Sequence, residues 1–170
     1  MRSSNYRIDR FRIILNFILI GLGVSFLVLL FFFRGSMNSF VTKKMKEQTS
    51  VNVKKSISQL LDSAFNYQKN RKGFGITFLE FGAAGCVSCK KMEIVMREVK
   101  EKFPKKVNVK FYNILLPGDQ DIMKYFGIAA IPTQVLLDSS GNEVFRHTGY
   151  FSTAELEQEF IKINALKLVQ

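Results

Sequence analysis

The spacing of apolar residues predicts a series of short helices and strands from about residue 53 onward. Apolar positions first recur every three or four residues, as in an amphipathic helix, and this pattern stops near Lys72-Gly73. The apolar positions of this helix are Val53, Ile57, Leu60, Leu61, Ala64 and Phe65. Further patterns predict strands at 76–81, 107–113, 133–137 and 143–147, and helices at 86–102 and 119–125.

Two local signals define the last elements. Residues 138–142 have the composition of a hairpin turn between the final two strands. Ser152 and Glu155 form a capping box that opens a terminal helix. Crossover helices give parallel strands and the hairpin gives an antiparallel pair. Residues 56–170 are therefore predicted to form an α/β domain with a mixed central sheet flanked by helices.

Residues 13–33 are the most apolar part of the chain. They include twenty-one positions without a charge, which in a helix span roughly 30 Å, the thickness of a bilayer core. This run is longer than the apolar region of a cleavable signal peptide, so we predict an uncleaved transmembrane signal anchor, with cleavage after Gly35 or Ser36 as the alternative. Residues 1–12 are then a short basic tail, and residues 34–55 a polar spacer without clear periodicity.

The net charge of +11 is concentrated beside this apolar segment. Residues 1–55 carry ten Lys or Arg against two acidic residues, which is +8, and the rest of the chain adds only +3. Attraction to anionic lipids or a role in topology explains this asymmetry better than nucleic-acid binding, which we do not expect. Because a short basic tail before a first apolar segment usually stays in the cytoplasm, the domain at 56–170 is expected outside it.

Cys86 and Cys89 are the only cysteines, and they lie where a predicted strand is followed by a helix. A structural disulfide would gain little from closing so small a loop, and inert buried thiols would be expected on an apolar stripe. A metal site is the stronger alternative, but a closed zinc site needs four ligands, and only His147 is available as a further donor. Redox chemistry is therefore favoured, with no metal and no cofactor.

The predicted helix start assigns different roles to the two thiols. Cys86 faces unpaired backbone N–H groups and the positive end of the helix dipole, which should lower its pKa and make it the nucleophile. Cys89, one turn further along, is placed to resolve the mixed disulfide. Glu80 points below the helix start, where a buried carboxylate with a raised pKa can take or return the proton of Cys89. The alternative for Glu80 is a strand acid paired with a nearby Lys.

From about residue 56 to the end, the sequence resembles the thioredoxin superfamily. The segments that carry the resemblance are Phe78-Leu79-Glu80-Phe81, Cys86-Val87-Ser88-Cys89-Lys90-Lys91-Met92, Tyr125-Phe126-Gly127-Ile128, Ile131-Pro132-Thr133 and Gly141-Asn142-Glu143-Val144-Phe145. The resemblance implies a cis peptide at Pro132 and an Ile131 backbone that faces an incoming peptide. Val87 and Ser88 replace the Gly-Pro that is usual between the cysteines, at positions that influence thiolate stability and substrate recognition.

Glu80, the Cys-Val-x-Cys motif and the tether most resemble the C-terminal domain of the membrane thiol-disulfide interchange protein and related extracytoplasmic thioredoxins. We therefore predict a membrane-tethered thiol-disulfide oxidoreductase that acts on protein thiols or disulfides, in the reductive direction. Its expected partners are client proteins, a membrane electron donor, and the lipid bilayer through residues 13–33. The alternatives are a copper(I)-binding or delivery module that uses Cys86, Cys89 and His147, and a redox-inert adaptor.

Overall fold

The computed structural model describes residues 3–167, and the side chains of these residues except 3–11, 13–14, 31, 34–36 and 164–167. The tail residues Met1 and Arg2 therefore lie outside the described part of the chain. The helices are α1 (Ser3–Gln48), α2 (Val51–Phe65), α3 (Tyr67–Asn70), α4 (Val87–Lys102), α5 (Gln120–Phe126, preceded by a 3-10 turn at Pro117–Asp119) and α6 (Thr153–Lys167). The strands are β1 (Ile76–Gly82), β2 (Val107–Asn113), β3 (Thr133–Leu137) and β4 (Glu143–Thr148).

The chain divides into one unit that ends at Phe40 and a second, compact unit that begins at Val41. In the first unit the described residues form a continuous helix, part of α1. Within the part of the chain that the structure describes, no helix combines the length and the apolar character needed to cross a membrane. Ile13, Ile14 and Phe31 lie outside the residues whose side chains are described. The transmembrane anchor predicted at 13–33 is therefore not confirmed.

The region 34–55, predicted as a polar spacer without clear periodicity, is mostly helical. Helix α1 continues to Gln48, and α2 begins at Val51 after the Ser50 hydroxyl accepts the Val53 N–H at 3.3 Å. The Lys, Glu and Gln residues of this region are good helix formers, so a weak apolar period did not exclude a helix. Contacts within the compact unit add to this preference, because the Thr49 hydroxyl donates to the Lys124 carbonyl at 3.3 Å.

The helix predicted to reach Lys72-Gly73 ends earlier, at Phe65. The Asn66 backbone N–H donates to the Asp62 carbonyl at 3.3 Å, and the Asn66 side-chain carbonyl accepts the Lys69 N–H at 3.2 Å. Asn66 is thus both the C-cap of α2 and the N-cap of α3. An Asn side chain competes in this way for backbone groups, so it favours a break over continuation of the helix.

The four strands form one mixed sheet in the order β2-β1-β3-β4. β1 runs parallel to β2 and antiparallel to β3, and β3 runs antiparallel to β4. This mixed α/β arrangement was predicted and is confirmed. The capping box is also present: the Ser152 hydroxyl accepts the Glu155 N–H at 3.3 Å, and the Glu155 carboxylate accepts the Ser152 N–H at 2.8 Å.

Alternate residues of the central strand β1 pack on the two faces of the sheet. One face carries Ile76 and Phe78 and is covered by α4 and α6, which contribute Met92, Val95, Val99, Leu156 and Phe160. The opposite face carries Leu79 and Phe81 and is covered by α2 and α5, which contribute Leu61, Phe65, Ile122 and Phe126. All seven residues of β1 are buried, so the strand leads directly from the middle of the core to the cysteine pair.

Candidate active site

The carboxyl end of β1 is packed closely against the cysteine pair. A Cβ added to Gly82 would lie 2.9 Å from Phe111 Cε2 and 3.4 Å from Cys89 Sγ. The side chain of Cys89 therefore lies directly over the last residue of the strand. The following turn reaches Cys86 through Gly85, whose φ of +84° is readily adopted only by glycine.

Cys86 and Cys89 are joined in a disulfide at the first turn of α4. Cys86 is the N-cap residue, and its Sγ accepts the Cys89 backbone N–H at 3.2 Å. Cys89 is only 4% exposed, whereas Cys86 is half-buried. After reduction, a thiolate at Cys86 would be stabilised by the same N–H and by the helix dipole. Cys86 is therefore the more exposed residue of the pair, and Cys89 is covered by the surrounding protein.

The two residues between the cysteines lie at the surface. Val87 is 76% exposed, and Ser88 is exposed beside it. The exposed Val87 side chain, next to Cys86, is available to contact a client protein. The proposed recognition roles of Val87 and Ser88 are compatible with these positions and stay predictions.

The peptide bond between Ile131 and Pro132 is cis, as the resemblance implied. In the antiparallel register Phe81 is opposite Thr133, so Pro132 follows at the level of Gly82. Pro132 thus lies at the end of the sheet where Cys89 packs. The Pro132 carbonyl accepts the Gly149 N–H at 2.8 Å, which attaches this loop to the end of β4. Contact of the Ile131 backbone with a client peptide stays a prediction.

Glu80 is fully buried on the α4 side of the sheet, two residues before Gly82. Its Oε2 accepts the Gln134 Nε2–H at 3.0 Å, and Gln134 is its register partner on β3. Burial raises the pKa of Glu80 to about 8, while the hydrogen bond from Gln134 opposes that rise. The partner is thus an amide rather than the Lys considered as the alternative. Two residues along a strand span roughly 6–7 Å, which sets the separation of Glu80 from Gly82 beneath the disulfide.

Gln134 was not recognised from the sequence. A signal was available, because Gln134 is a polar residue in a five-residue strand, and alternation places it on the same face as the core residue Leu136. Gly82 was also overlooked as a contact of Cys89. The need for a residue without a Cβ at this position comes from contacts with Phe111 and Cys89, which belong to neighbouring elements of the fold. The sequence pattern of β1 alone does not show these contacts.

His147 does not join the cysteines in a ligand set. Its ring stacks on Phe151 with 4.4 Å between the ring centroids. Among the described residues, no three His, Cys, Asp or Glu side chains are grouped in a way that could hold a metal ion. The geometry therefore gives no support to the copper(I) alternative through Cys86, Cys89 and His147.

A cysteine pair at the start of a helix, directly after the central strand of a mixed sheet, defines the thioredoxin-like class of fold. This is a fold of thiol-disulfide oxidoreductases. The thioredoxin-like domain family model matches residues 61–164. The chain belongs to this family.

Among similar solved structures, one supports the fold. Chloroplastic thioredoxin z is 19% identical, with a TM-score of 0.52, and the match covers 63% of this chain and 89% of that one. Thioredoxin O2 from Arabidopsis thaliana, in its oxidised state, is 18% identical with a TM-score of 0.49, covering 64% and 87%. A thioredoxin-2 described as part of the malaria parasite protein secretion machinery is 18% identical with a TM-score of 0.48, covering 52% and 82%. No curated protein matches the sequence. The narrower resemblance to the membrane interchange protein is not confirmed by these comparisons.

Proposed function

We propose that this protein reduces disulfides in client proteins through a dithiol formed by Cys86 and Cys89. The observation that carries the proposal is the placement of the Cys86 sulfur at the N-cap of α4, where it accepts the Cys89 N–H at 3.2 Å. This position favours a thiolate at Cys86 and keeps Cys89 behind it. A buried proton acceptor at Glu80 completes the groups that the reaction needs.

The reaction proceeds in two exchanges. The Cys86 thiolate attacks a client disulfide, one client sulfur leaves as a thiolate, and Cys86 is joined to the client in a mixed disulfide. Cys89 then gives its proton to Glu80, attacks the Cys86 sulfur and releases the second client thiolate. The client gains two electrons, and the protein ends with the Cys86–Cys89 disulfide, which is the state seen here. A reductant must then restore the dithiol.

Cysteine variants test this assignment. We expect Cys86→Ser to abolish reduction of insulin or client disulfides, and Cys89→Ser to accumulate mixed disulfides that dithiothreitol releases. Ser58→Ala is the control, because Ser58 is exposed on α2, away from the cysteine pair. Full activity in both cysteine variants would exclude Cys86 and Cys89 as the reactive pair. Absence of activity in the wild type would instead leave the redox-inert adaptor.

The direction of exchange is tested by the reduction potential of the cysteine pair. A reductase should have a potential near that of thioredoxin, about −270 mV. A value near that of a strong oxidant, about −120 mV, would reverse the proposed direction. The potential is measured by equilibration with glutathione or dithiothreitol and quantification of the free thiols.

Attachment to a membrane, with the catalytic domain outside the cytoplasm and a membrane electron donor, is the further part of this proposal. It is supported by the absence of charge over residues 13–33 and by apolar side chains exposed along α1, among them Phe17, Leu22 and Phe26. The basic residues concentrated in positions 1–55 agree with a lipid surface. Recovery of the protein in carbonate-washed membranes, with Cys86 labelled by an impermeant thiol reagent in intact cells, is the expected result. Recovery in the soluble fraction would contradict attachment.

A further inference from the structure

Two buried polar side chains lie directly opposite each other beneath the disulfide. Glu80 on β1 and Gln134 on β3 are register partners, and both are fully buried. One hydrogen bond joins them, from Gln134 Nε2 to Glu80 Oε2 at 3.0 Å. Within the described residues, the remaining side-chain oxygen of each, Glu80 Oε1 and Gln134 Oε1, is buried without a hydrogen-bond partner.

These two oxygens are both acceptors while Glu80 is a carboxylate. Leaving a buried polar atom without a partner is unfavourable by about 1–3 kcal/mol. A proton on Glu80 Oε1 changes this balance, because the carboxylic acid then has a donor as well as an acceptor, as the amide of Gln134 does. An acid and an amide side by side can form two antiparallel hydrogen bonds.

We propose that Gln134 is a positioning residue that holds the Glu80 carboxyl group in both of its protonation states. In the charged state, Gln134 Nε2–H donates to Glu80 Oε2. In the neutral state, Gln134 Oε1 also accepts a hydrogen bond from the protonated Glu80 carboxyl group. The proposal rests on the proposed function for its consequence in catalysis, since it is during the exchange that Glu80 takes the proton of Cys89.

Few other titratable groups face Glu80. Its partner on β2 is Phe111, and the position opposite Gln134 on β4 is His147, which stacks on Phe151. On α4, the disulfide lies over Gly82. The charged residues of that helix are all exposed: Lys90, Lys91, Glu93, Arg97, Glu98, Lys100, Glu101 and Lys102. From α6, Glu155 caps the helix through Ser152. The protonation of Glu80 is therefore governed by burial and by Gln134.

The two states correspond to two stages of the exchange. Before resolution, Glu80 must be a carboxylate to accept the proton of the Cys89 thiol. After resolution, Cys89 is bonded to Cys86, the client has left as a thiolate, and the proton is on Glu80. Without Gln134 both states lose a partner, but the carboxylate loses a charge-assisted hydrogen bond, which is the stronger kind. Glu80 therefore stays neutral up to a higher pH in the variant and accepts the proton of Cys89 less readily.

The test combines a titration with an activity profile. Gln134→Met removes the amide and keeps a similar length. In the oxidised full chain, the carboxyl signal of 13C-labelled Glu80, assigned by its loss in Glu80→Gln, should titrate about one to two pH units higher in Gln134→Met than in the wild type. The rise of client reduction with pH should move in the same direction. Gln134→Asn, whose shorter amide does not reach Glu80, is the second variant if Gln134→Met does not fold.

A double variant separates positioning from packing. In a Glu80→Gln background, Gln134→Met should leave the pH profile unchanged, because no carboxyl group remains to titrate. An unchanged Glu80 titration in Gln134→Met, or the same shift of the pH profile in the Glu80→Gln background, would overturn the proposal. Absence of any exchange in the wild type would instead overturn the proposed function, and the titration would still decide the role of Gln134.

Discussion

The Tyr67 hydroxyl lies 2.6 Å from Thr77 Oγ1, in a fully buried hydrogen bond that connects α3 to the central strand. Asn108 Nδ2, on the neighbouring strand β2, donates to the same hydroxyl at 2.8 Å. One phenol thus joins the segment after α2 to both parallel strands.

Tyr67→Phe should destabilise the compact unit by about 1–3 kcal/mol, because the buried Thr77 hydroxyl and the partly buried Asn108 amide each lose a partner. The measurement is guanidinium unfolding of wild type and variant at one pH. Tyr150→Phe is the control, since Tyr150 is exposed, and it should change stability by less than about 0.5 kcal/mol. Equal effects of the two substitutions would show that the Tyr67 network contributes nothing.

Gly127→Ala should be more damaging than substitution of another glycine with positive φ. Gly127 has a φ of +62°, and a Cβ there would lie 2.5 Å from the Thr42 carbonyl oxygen. Gly141 has a φ of +84°, but its nearest Cβ contact is 3.6 Å. Both variants place an alanine at a positive φ, so that backbone cost is common to them. The additional loss of unfolding free energy in Gly127→Ala, expected at about 1–3 kcal/mol, measures the cost of displacing the helix segment at Thr42. Thermal unfolding of both variants checks this, and equal losses would contradict it.

Glu80→Gln should remove a pH dependence of stability. Because the pKa of Glu80 in the folded protein is raised to about 8, from 4.5, the folded state binds this proton more tightly than the unfolded state does. The resulting stabilisation is fully present below about pH 4.5 and is lost as the pH rises through about 8. Relative to Glu80→Gln, the wild type should lose on the order of 1.4 kcal/mol per pH unit between about pH 5 and 8.

This difference is measured by guanidinium unfolding of the oxidised proteins across that pH range. Asp62 and Glu155, whose pKa values are lowered by hydrogen bonds from Lys69 and Ser152 respectively, are present in both proteins and do not affect the difference. Parallel stability curves for wild type and variant would show that Glu80 is not protonated preferentially in the folded state.

Gly82→Ala should disturb the site through close contacts rather than backbone strain. The added Cβ would lie 2.9 Å from Phe111 Cε2 and 3.4 Å from Cys89 Sγ, so the Phe111 ring and the disulfide must shift. We expect a stability loss of about 1–3 kcal/mol and slower client reduction. Gly75→Ala is the control just before β1, because its nearest Cβ contact is an ordinary 3.8 Å. Activity equal to that of the control would contradict the role of Gly82.

Much of the fold could be predicted from the sequence, because its strands have apolar patterns with clear ends. β2 and β3 begin and end at the predicted residues, and the hairpin and the capping box at Ser152 are where their turn chemistry indicated. The helical character of 34–48 could not be read from apolar spacing, since its residues are mostly polar. The break at Asn66 depends on local side-chain hydrogen bonds, which compete with the helix in a way that periodicity does not show.

The candidate site was predictable to the extent that it is local in sequence. The positions of Cys86 and Cys89 at a helix start follow from one strand, one turn and one helix. The partner of Glu80 is 54 residues away, and depends on the strand register between β1 and β3. Register is a property of the assembled sheet, so Gln134 could be placed beside Glu80 only once β3 was paired with β1.

The central position of β1 also has a consequence for motion in the site. β1 is paired on both sides, and all of its residues are buried. Amide hydrogens in such a strand exchange with solvent mainly when the whole domain unfolds, whereas surface turns exchange through small local openings. We therefore expect the amides of Glu80 and Gly82 to be among the slowest to exchange in the domain. We expect the movements that admit a client in the turn at residues 83–85 and in the first turn of α4 rather than in β1.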